Sequence, residues 1–155
     1  MLSNVNDNES LLRIINEPTR GIGQTSINRL ISFANKTQMS LYKALQYADA
    51  VEELKNPARN RISEFYLLME RWHNSITQKP ALELVKTIVE ELELIERYKN
   101  SNDPREIARA ENIVEFVTSV SEFSEHFYRE NDRLPLIEDY LPYVALQTDM
   151  DRMKE

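Results

Sequence analysis

The chain has no cysteine, no long apolar run and only 2 glycines among its 155 residues. The absence of cysteine excludes a disulfide framework and any cysteine-ligated zinc site, and it suits a cytoplasmic protein. A membrane-spanning helix needs roughly 18 consecutive apolar residues, which the sequence lacks, and the polar N-terminus does not form a secretory signal. These absences predict a cytoplasmic protein with no membrane partner.

Length and charge narrow the class of protein further. With 41% hydrophobic and 29% charged residues, the chain can bury a sizeable core, and we expect a single domain over residues 1–155. The net charge of −7 and the isoelectric point near 5.0 argue against a protein that coats nucleic acid through bulk charge. Any contact with DNA must therefore be local.

Both glycines lie in one short stretch, as Gly21 and Gly23. Glycine is disfavoured within helices by roughly 1 kcal/mol relative to alanine, but it permits positive φ and the close approach of another backbone or a phosphate. A helical pattern from Glu9 to Ile15 enters the stretch, and another from Ser26 to Ala34 leaves it. The sequence therefore predicts a helix–hairpin–helix element over residues 9–35.

The predicted turn suits an anion. Ile22 would point inward between the glycines, while the free N–H groups of the second helix would point outward at its positive dipole end. Amide and hydroxyl side chains follow at Gln24, Thr25 and Ser26, where they can bond backbone or phosphate. The pattern favours capture of a nucleic-acid phosphate without reading of bases. A tight turn between packed helices is the structural alternative.

The charge around the turn supports phosphate binding. Residues 13–36 contain four basic residues and one acidic residue, a local balance of +3, which leaves −10 for the rest of the chain. The basic residues are Arg13, Arg20, Arg29 and Lys36, and the acidic residue is Glu17. A basic island at a helix N-terminus, within an acidic chain, favours an anion site over an inert turn.

Helical periodicity covers the remaining chain. The predicted elements are a short helix after Ser40, a long helix after Asn56-Pro57, a helix from Leu82 to Tyr98, a long helix from Arg105 to Arg129, and a short helix from Pro135 to Leu146. The helix from Arg105 to Arg129 is predicted to have Asp103 as its N-cap and Pro104 at its first position. The tail from Gln147 to Glu155 is expected to be frayed. Since we find no strand pattern and no internal repeat, the predicted fold is an all-α, compact multi-helix domain.

Other candidate sites have simpler explanations. Trp72 could stack on a base, but it falls in register with an apolar helical stripe, so we expect it in the core. Glu70 and His73 form the Glu-x-x-His unit of di-iron bundles, but His126 has Phe123 at that spacing and supplies no second pair. No nucleotide-binding glycine-rich loop and no nucleophile–base–acid set is present, so we predict no catalytic residue, metal or cofactor in this segment.

Residues 8–23, which read NESLLRIINEPTRGIG, closely resemble a segment of UvrD/PcrA/Rep-type superfamily-one DNA helicases. In that family a "Leu-x-Arg-Ile-Ile-Asn-x-Pro-x-Arg-Gly-Ile-Gly" segment opens the inserted accessory subdomain called 2B. Looser similarity follows at residues 40–45, at Asp103-Pro104 with residues 109–113, and from Leu136 to Asp151. The resemblance covers essentially the whole chain, and the first third is its specific part.

The resemblance implies a function for the segment. In these helicases two motor subdomains hydrolyse ATP with magnesium and translocate 3′→5′ on single-stranded DNA. The 2B subdomain holds no ATP motif, contacts duplex DNA ahead of the fork, and swivels between orientations that regulate unwinding. The implied partners are duplex DNA and the motor subdomains, and ATP and Mg²⁺ belong to the parent protein. Since the motor motifs are absent here, we expect an excised subdomain to which Met1 has been added.

Carried onto this sequence, the resemblance assigns Gly21, Ile22 and Gly23 to the hairpin. The backbone N–H groups of Gly23, Gln24 and Thr25 would hold a duplex phosphate. The hydroxyls of Thr25 and Ser26 would assist, and Arg20 would add charge. Ile27 departs from stand-alone helix–hairpin–helix modules, which usually carry alanine there. With about 2–3 phosphate contacts, binding in isolation should be sequence-nonspecific and weak, on the order of 10⁻⁴ M.

Two alternative functions remain open from the sequence. A free-standing helix–hairpin–helix protein would bind DNA usefully by itself, which the −10 charge outside the basic island disfavours. In a helical protein-interaction domain the glycines would form only a turn, so changing them would alter folding but not DNA binding.

Overall fold

The computed structural model describes residues 1–154, which form eight α-helices and one 3₁₀ turn and contain no strand. The helices are α1 (Asn8–Ile14), α2 (Gln24–Lys36), α3 (Leu41–Gln46), α4 (Asn56–Ser75), α5 (Ala81–Glu91), α6 (Leu94–Lys99), α7 (Pro104–Asn131) and α8 (Ile137–Arg152), and the 3₁₀ turn is Ala48–Ala50. The predicted all-α class is therefore confirmed.

The chain divides into two compact units, Met1–His73 and Asn74–Glu155, with the boundary in the last turn of α4. The expectation of a single domain over residues 1–155 stays a prediction.

Short capped helices build the first unit. The Asp7 side chain accepts a hydrogen bond from the Ser10 N–H at the start of α1, and the Ser40 side chain accepts one from the Lys43 N–H at the start of α3. Helix α3 packs against both α1 and α2. The fully buried side chains of this unit include Leu11, Ile15, Ile22, Leu30, Leu45, Ile62 and Phe65. The core therefore draws on α1, α2, α3 and α4, and it includes the residue between the two glycines.

Helix α4 contributes the long apolar stripe that its sequence predicts. Ile62, Phe65, Met69 and Trp72 are buried at spacings of three and four residues, which place them on one face. Trp72 is only 5% exposed, so the prediction that it belongs to the core is confirmed.

The predicted helix from Leu82 to Tyr98 is wrong in one respect, because the chain breaks into α5 and α6. The break lies at Glu93, whose φ of 49° and ψ of 37° are left-handed and which precedes the first residue of α6. The change of direction lets both helices pack on α7. A non-glycine residue in this conformation costs of order 1–3 kcal/mol, which burial of residues such as Tyr98 offsets.

Helix α7 begins as predicted. The Asp103 side chain accepts the Arg105 N–H at 2.9 Å, and Pro104 occupies the first helical position. Val120 of α7 lies in a buried cluster with Val85 of α5 and Tyr140 of α8.

The predicted end of the last helix is wrong. Helix α8 does not stop at Leu146 but continues to Arg152, within the tail that was expected to be frayed. No glycine or proline follows Pro142, and residues such as Ala145, Leu146 and Met150 favour helix, so nothing in the local sequence stops it. Among residues 1–154 no helix has the length and apolar character that a membrane crossing requires.

Three carboxylates are held in their charged form at helix starts. A hydrogen bond from a serine side chain in the first turn of α1 lowers the pKa of Asp7. Hydrogen bonds from the Arg105 side chain and backbone lower the pKa of Asp103, and the Arg133 side chain lowers the pKa of Asp139. Since the fold favours the ionised form of each group, these carboxylates link stability to pH.

We expect the free energy of unfolding to fall as the pH drops below about 4. The folded pKa values lie below the ordinary value of 3.8, so the stabilisation is fully present above that pH and is lost as the pH falls through the folded values. The Asp103→Asn variant keeps a capping oxygen but does not titrate, so its melting temperature should fall less steeply with acidification. Thermal melts across this pH range measure the difference, and parallel curves would contradict the role of Asp103.

Candidate nucleic-acid interface

The two glycines lie in the connection between α1 and α2, and they differ in conformation. Gly21 has a φ of 72°, in the region that side chains disfavour. Gly23 has a φ of −76° and a ψ of 164°, an extended conformation that any residue adopts, and it is the N-cap of α2. We call residues 21–23 the glycine turn. Only its first glycine is required by the backbone.

Asn16 holds the glycine turn in place. Its side-chain Oδ1 accepts the Arg20 N–H at 2.8 Å and the Ile22 N–H at 3.3 Å. The Ile22 side chain is fully buried, so it points inward as the sequence pattern predicts. The Asn16 carboxamide and the buried Ile22 side chain therefore hold the chain in the turn that leads into α2. Sequence reasoning did not single out Asn16, although it lies in the motif that carries the family resemblance.

The N-terminus of α2 is uncapped by any side chain within residues 1–154. The first helical bond joins the Ile27 N–H to the Gly23 carbonyl at 3.1 Å, and the N–H groups before Ile27 have no acceptor within the helix. A Cβ placed on Gly23 would meet nothing within 4 Å. The start of α2 therefore offers N–H donors beside an open surface.

The polar side chains that follow Gly23 differ in exposure. Gln24 and Thr25 are exposed, and the Gln24 amide donates to the Asn28 side chain at 2.9 Å. Ser26 is half-buried. Of the two hydroxyls predicted to assist a phosphate, that of Thr25 is the more accessible.

The Arg20 side chain contacts the end of α1, the connection that leads to the glycine turn, and α4. Its Nη1 donates to the Ile14 carbonyl at 2.6 Å and to the Pro18 carbonyl at 3.2 Å, and its guanidinium lies 4.8 Å from the centre of the Phe65 ring. The side chain thus ties the end of α1 and the turn to α4. Its charge contributes to the local positive potential from this half-buried position.

Sequence reasoning missed a second arginine at the glycine turn. Arg61 of α4 is exposed, and its Nη1 donates to the Gly21 carbonyl at 3.0 Å. It lies 40 residues along the chain from Gly21, so local patterns could not predict the contact. The only sequence signal is the basic pair Arg59 and Arg61 at the start of a predicted helix.

The basic island has other contacts as well. Arg13 pairs with Glu9 at 2.7 Å, and Arg29 donates to the Glu53 carbonyl at 2.6 Å. Helix α2 itself contains no acidic residue. No negatively charged side chain of α2 itself would therefore repel an anion at the start of this helix.

The Glu-x-x-His pair has structural partners. The Glu70 carboxylate accepts a hydrogen bond from the Tyr42 hydroxyl, and Nδ1 of His73 lies 2.6 Å from the Leu2 carbonyl. Burial, and then the bond to Glu70, raises the pKa of Tyr42, so this hydroxyl stays a neutral donor. Within residues 1–154 no group of three or more potential metal ligands lies together.

Comparisons with known proteins agree along the whole chain. A family model described as the UvrD-like helicase C-terminal domain matches residues 1–155. The chain is 30% identical over 159 residues to the ATP-dependent DNA helicase PcrA of Leuconostoc citreum, with 100% of this chain and 21% of that protein covered. It is 28% identical to PcrA of Bacillus subtilis, with 100% of this chain and 20% of that protein covered.

A probable DNA helicase II homolog of Rickettsia conorii is 26% identical over 139 residues, which cover 89% of this chain and 21% of that protein. The chain thus spans about a fifth of the length of the curated relatives that it matches.

The two glycines should respond differently to alanine. Gly21→Ala should lower the free energy of unfolding by about 1–3 kcal/mol, because alanine must adopt the positive φ and its Cβ would lie 3.0 Å from the Arg61 guanidinium. Gly23→Ala should lower it by less, about 0.5–1 kcal/mol, because its Cβ enters open space and the cost is only that alanine is a poorer N-cap than glycine. Urea unfolding of both variants measures the contrast. Equal losses would show that the fold requires both glycines.

Proposed function

This chain belongs to the UvrD-like helicase C-terminal domain family. Because of this membership, we propose that it is the accessory 2B subdomain of an ATP-dependent 3′→5′ DNA helicase. In this proposal the glycine turn contacts the backbone of duplex DNA, within a helix–hairpin–helix element over residues 9–35. The observation that carries the proposal is the uncapped start of α2 beside an open surface at Gly23.

A duplex phosphate at this position would accept hydrogen bonds from the N–H groups of Gly23, Gln24 and Thr25. The positive end of the α2 dipole would favour its charge, and the exposed Thr25 hydroxyl would offer another donor. Arg20, which directly precedes the turn, adds positive charge. All of these groups meet the phosphate and none reaches a base edge, so the contact carries no sequence information.

The conformation and surroundings of Gly23 also support this proposal. The fold does not need a glycine there, because the φ is ordinary and a Cβ would meet no protein atom within 4 Å. A side chain at Gly23 would instead occupy the space through which a phosphate reaches the N–H groups. Glycine is an accepted N-cap residue, and the absence of a side chain there would also let another molecule approach the N–H groups closely.

The rest of the helicase would supply the chemistry. The sequence contains no Gly-x-x-x-x-Gly-Lys-Ser/Thr loop, so we place ATP and Mg²⁺ in the motor subdomains of the parent protein. The role of this segment is then regulatory. It would hold the duplex ahead of the fork, and its orientation relative to the motor would regulate unwinding.

The test is a titration of the isolated chain with a short DNA duplex at low salt, followed by amide NMR, and repeated with Gly23→Val. The expected result is a set of weak, salt-sensitive shifts centred on residues 20–26, with an affinity on the order of 10⁻⁴ M. Gly23→Val should fold normally but lose these shifts, because its side chain blocks the N–H groups. Asn35→Val, which adds the same side chain at an exposed position near the other end of α2, is the matched control.

Three outcomes would count against the proposal. Shifts spread over other surfaces would remove the assignment to the glycine turn. Unchanged binding by Gly23→Val would show that the N–H groups at the start of α2 are not used. No shifts at millimolar duplex in either form would favour a purely structural turn in a protein-interaction domain.

A further inference from the structure

We infer that Arg61 is a further phosphate-contacting residue of this interface, supplied by α4 and not by the glycine turn itself. The inference rests on the proposed function and extends it to a residue 40 positions along the chain from Gly21. The interface would then combine backbone donors from the start of α2 with one guanidinium from a separate helix.

The first reason for the inference is that Arg61 lies next to Gly21. Its Nη1 donates to the Gly21 carbonyl at 3.0 Å, and its Nε, Cζ and Nη1 lie 3.0–3.1 Å from where a Cβ of Gly21 would be. Gly21 and Gly23 are two residues apart, so their Cα atoms are separated by at most about 7 Å. The guanidinium therefore contacts the turn two residues before Gly23, which is the first of the residues whose N–H groups would receive a phosphate.

The second reason is that Arg61 has N–H donors that are not used within residues 1–154. A guanidinium has five N–H donors in a rigid fork that matches a phosphate, and the contact with Gly21 uses one of them. The side chain is exposed, and no carboxylate within the described part of the chain forms an ion pair with it. Arg61 thus has most of its donors available at the surface of the turn.

The other arginines near the turn are less available. Arg13 is paired with a glutamate, Arg29 donates to a backbone carbonyl, and the Arg20 guanidinium lies against Phe65. The glycine at position 21 also contributes, because the absence of a Cβ there leaves room for the Arg61 guanidinium. The turn and α4 are therefore complementary in shape at this point.

Helix α4 gives Arg61 a fixed base. Ile62 is fully buried and Phe65 is 2% exposed, so the helix segment that carries Arg61 is anchored in the core of the first unit. A cation on an anchored helix gives up less freedom on binding than one on a loop. This arrangement favours a defined contact over a diffuse attraction.

The test compares duplex affinity and its salt dependence for Arg61→Gln, Arg61→Lys, Lys36→Gln and Gly23→Val in the full chain. Lys36→Gln removes the same charge at the far end of α2, about 18 Å from Gln24 along the helix. Arg61→Gln should weaken binding about threefold. It should also reduce the slope of log affinity against log salt by about 1, since one phosphate contact is lost. Arg61→Lys should keep the slope. Lys36→Gln should also keep it, because Lys36, although part of the basic island, lies too far from Gln24 to contact the same phosphate.

The remaining outcomes overturn the inference in distinguishable ways. If Arg61→Gln binds like the unmodified chain while Gly23→Val does not bind, the interface is correct and Arg61 does not belong to it. If Arg61→Lys loses the slope as fully as Arg61→Gln, the guanidinium acts by holding Gly21. If Lys36→Gln lowers the slope as much as Arg61→Gln does, the attraction between the chain and the duplex is diffuse and does not depend on Arg61 itself. If Gly23→Val and Arg61→Gln both bind normally, the proposed function itself fails.

Discussion

The geometry of the candidate interface depends first on the hydrogen bonds that Asn16 makes to the connection between α1 and α2. Its side-chain oxygen accepts the N–H groups of Arg20 and Ile22, and the Ile22 side chain is fully buried. The chain reverses through the positive φ of Gly21. Gly23 consequently follows in an extended conformation as the uncapped start of α2. A buried apolar side chain and one carboxamide thus set the direction in which a row of N–H groups points.

The net charge of the chain explains why the proposed contact with DNA must be local. A chain with a net charge of −7 repels DNA at long range, so any affinity must come from donors that act at contact distance. The two arginines at the turn fit this requirement in different ways. Arg20 is half-buried and ties the turn to α4, whereas Arg61 is exposed beside Gly21. The proposed function requires only weak, nonspecific contact of this kind.

Local signals in the sequence predicted the parts of the fold that local chemistry determines. Asp103 followed by Pro104, and Ser40 before an apolar pattern, start helices where expected. The break at Glu93 was not predictable, because a left-handed glutamate there is imposed by packing on α7 and has no glycine or proline to signal it. The pattern of Gly21 and Gly23 located the candidate interface. It could not reveal the contact of Arg61 with Gly21, because that contact depends on how α4 packs in three dimensions.

The measurement that tests the central claim most directly is a crystal structure of this chain with a short DNA duplex. The account predicts a phosphate oxygen about 2.7–3.2 Å from the backbone nitrogens of Gly23, Gln24 or Thr25, with no side chain contacting a base edge. A duplex bound to another surface, with the start of α2 facing solvent, would contradict the account.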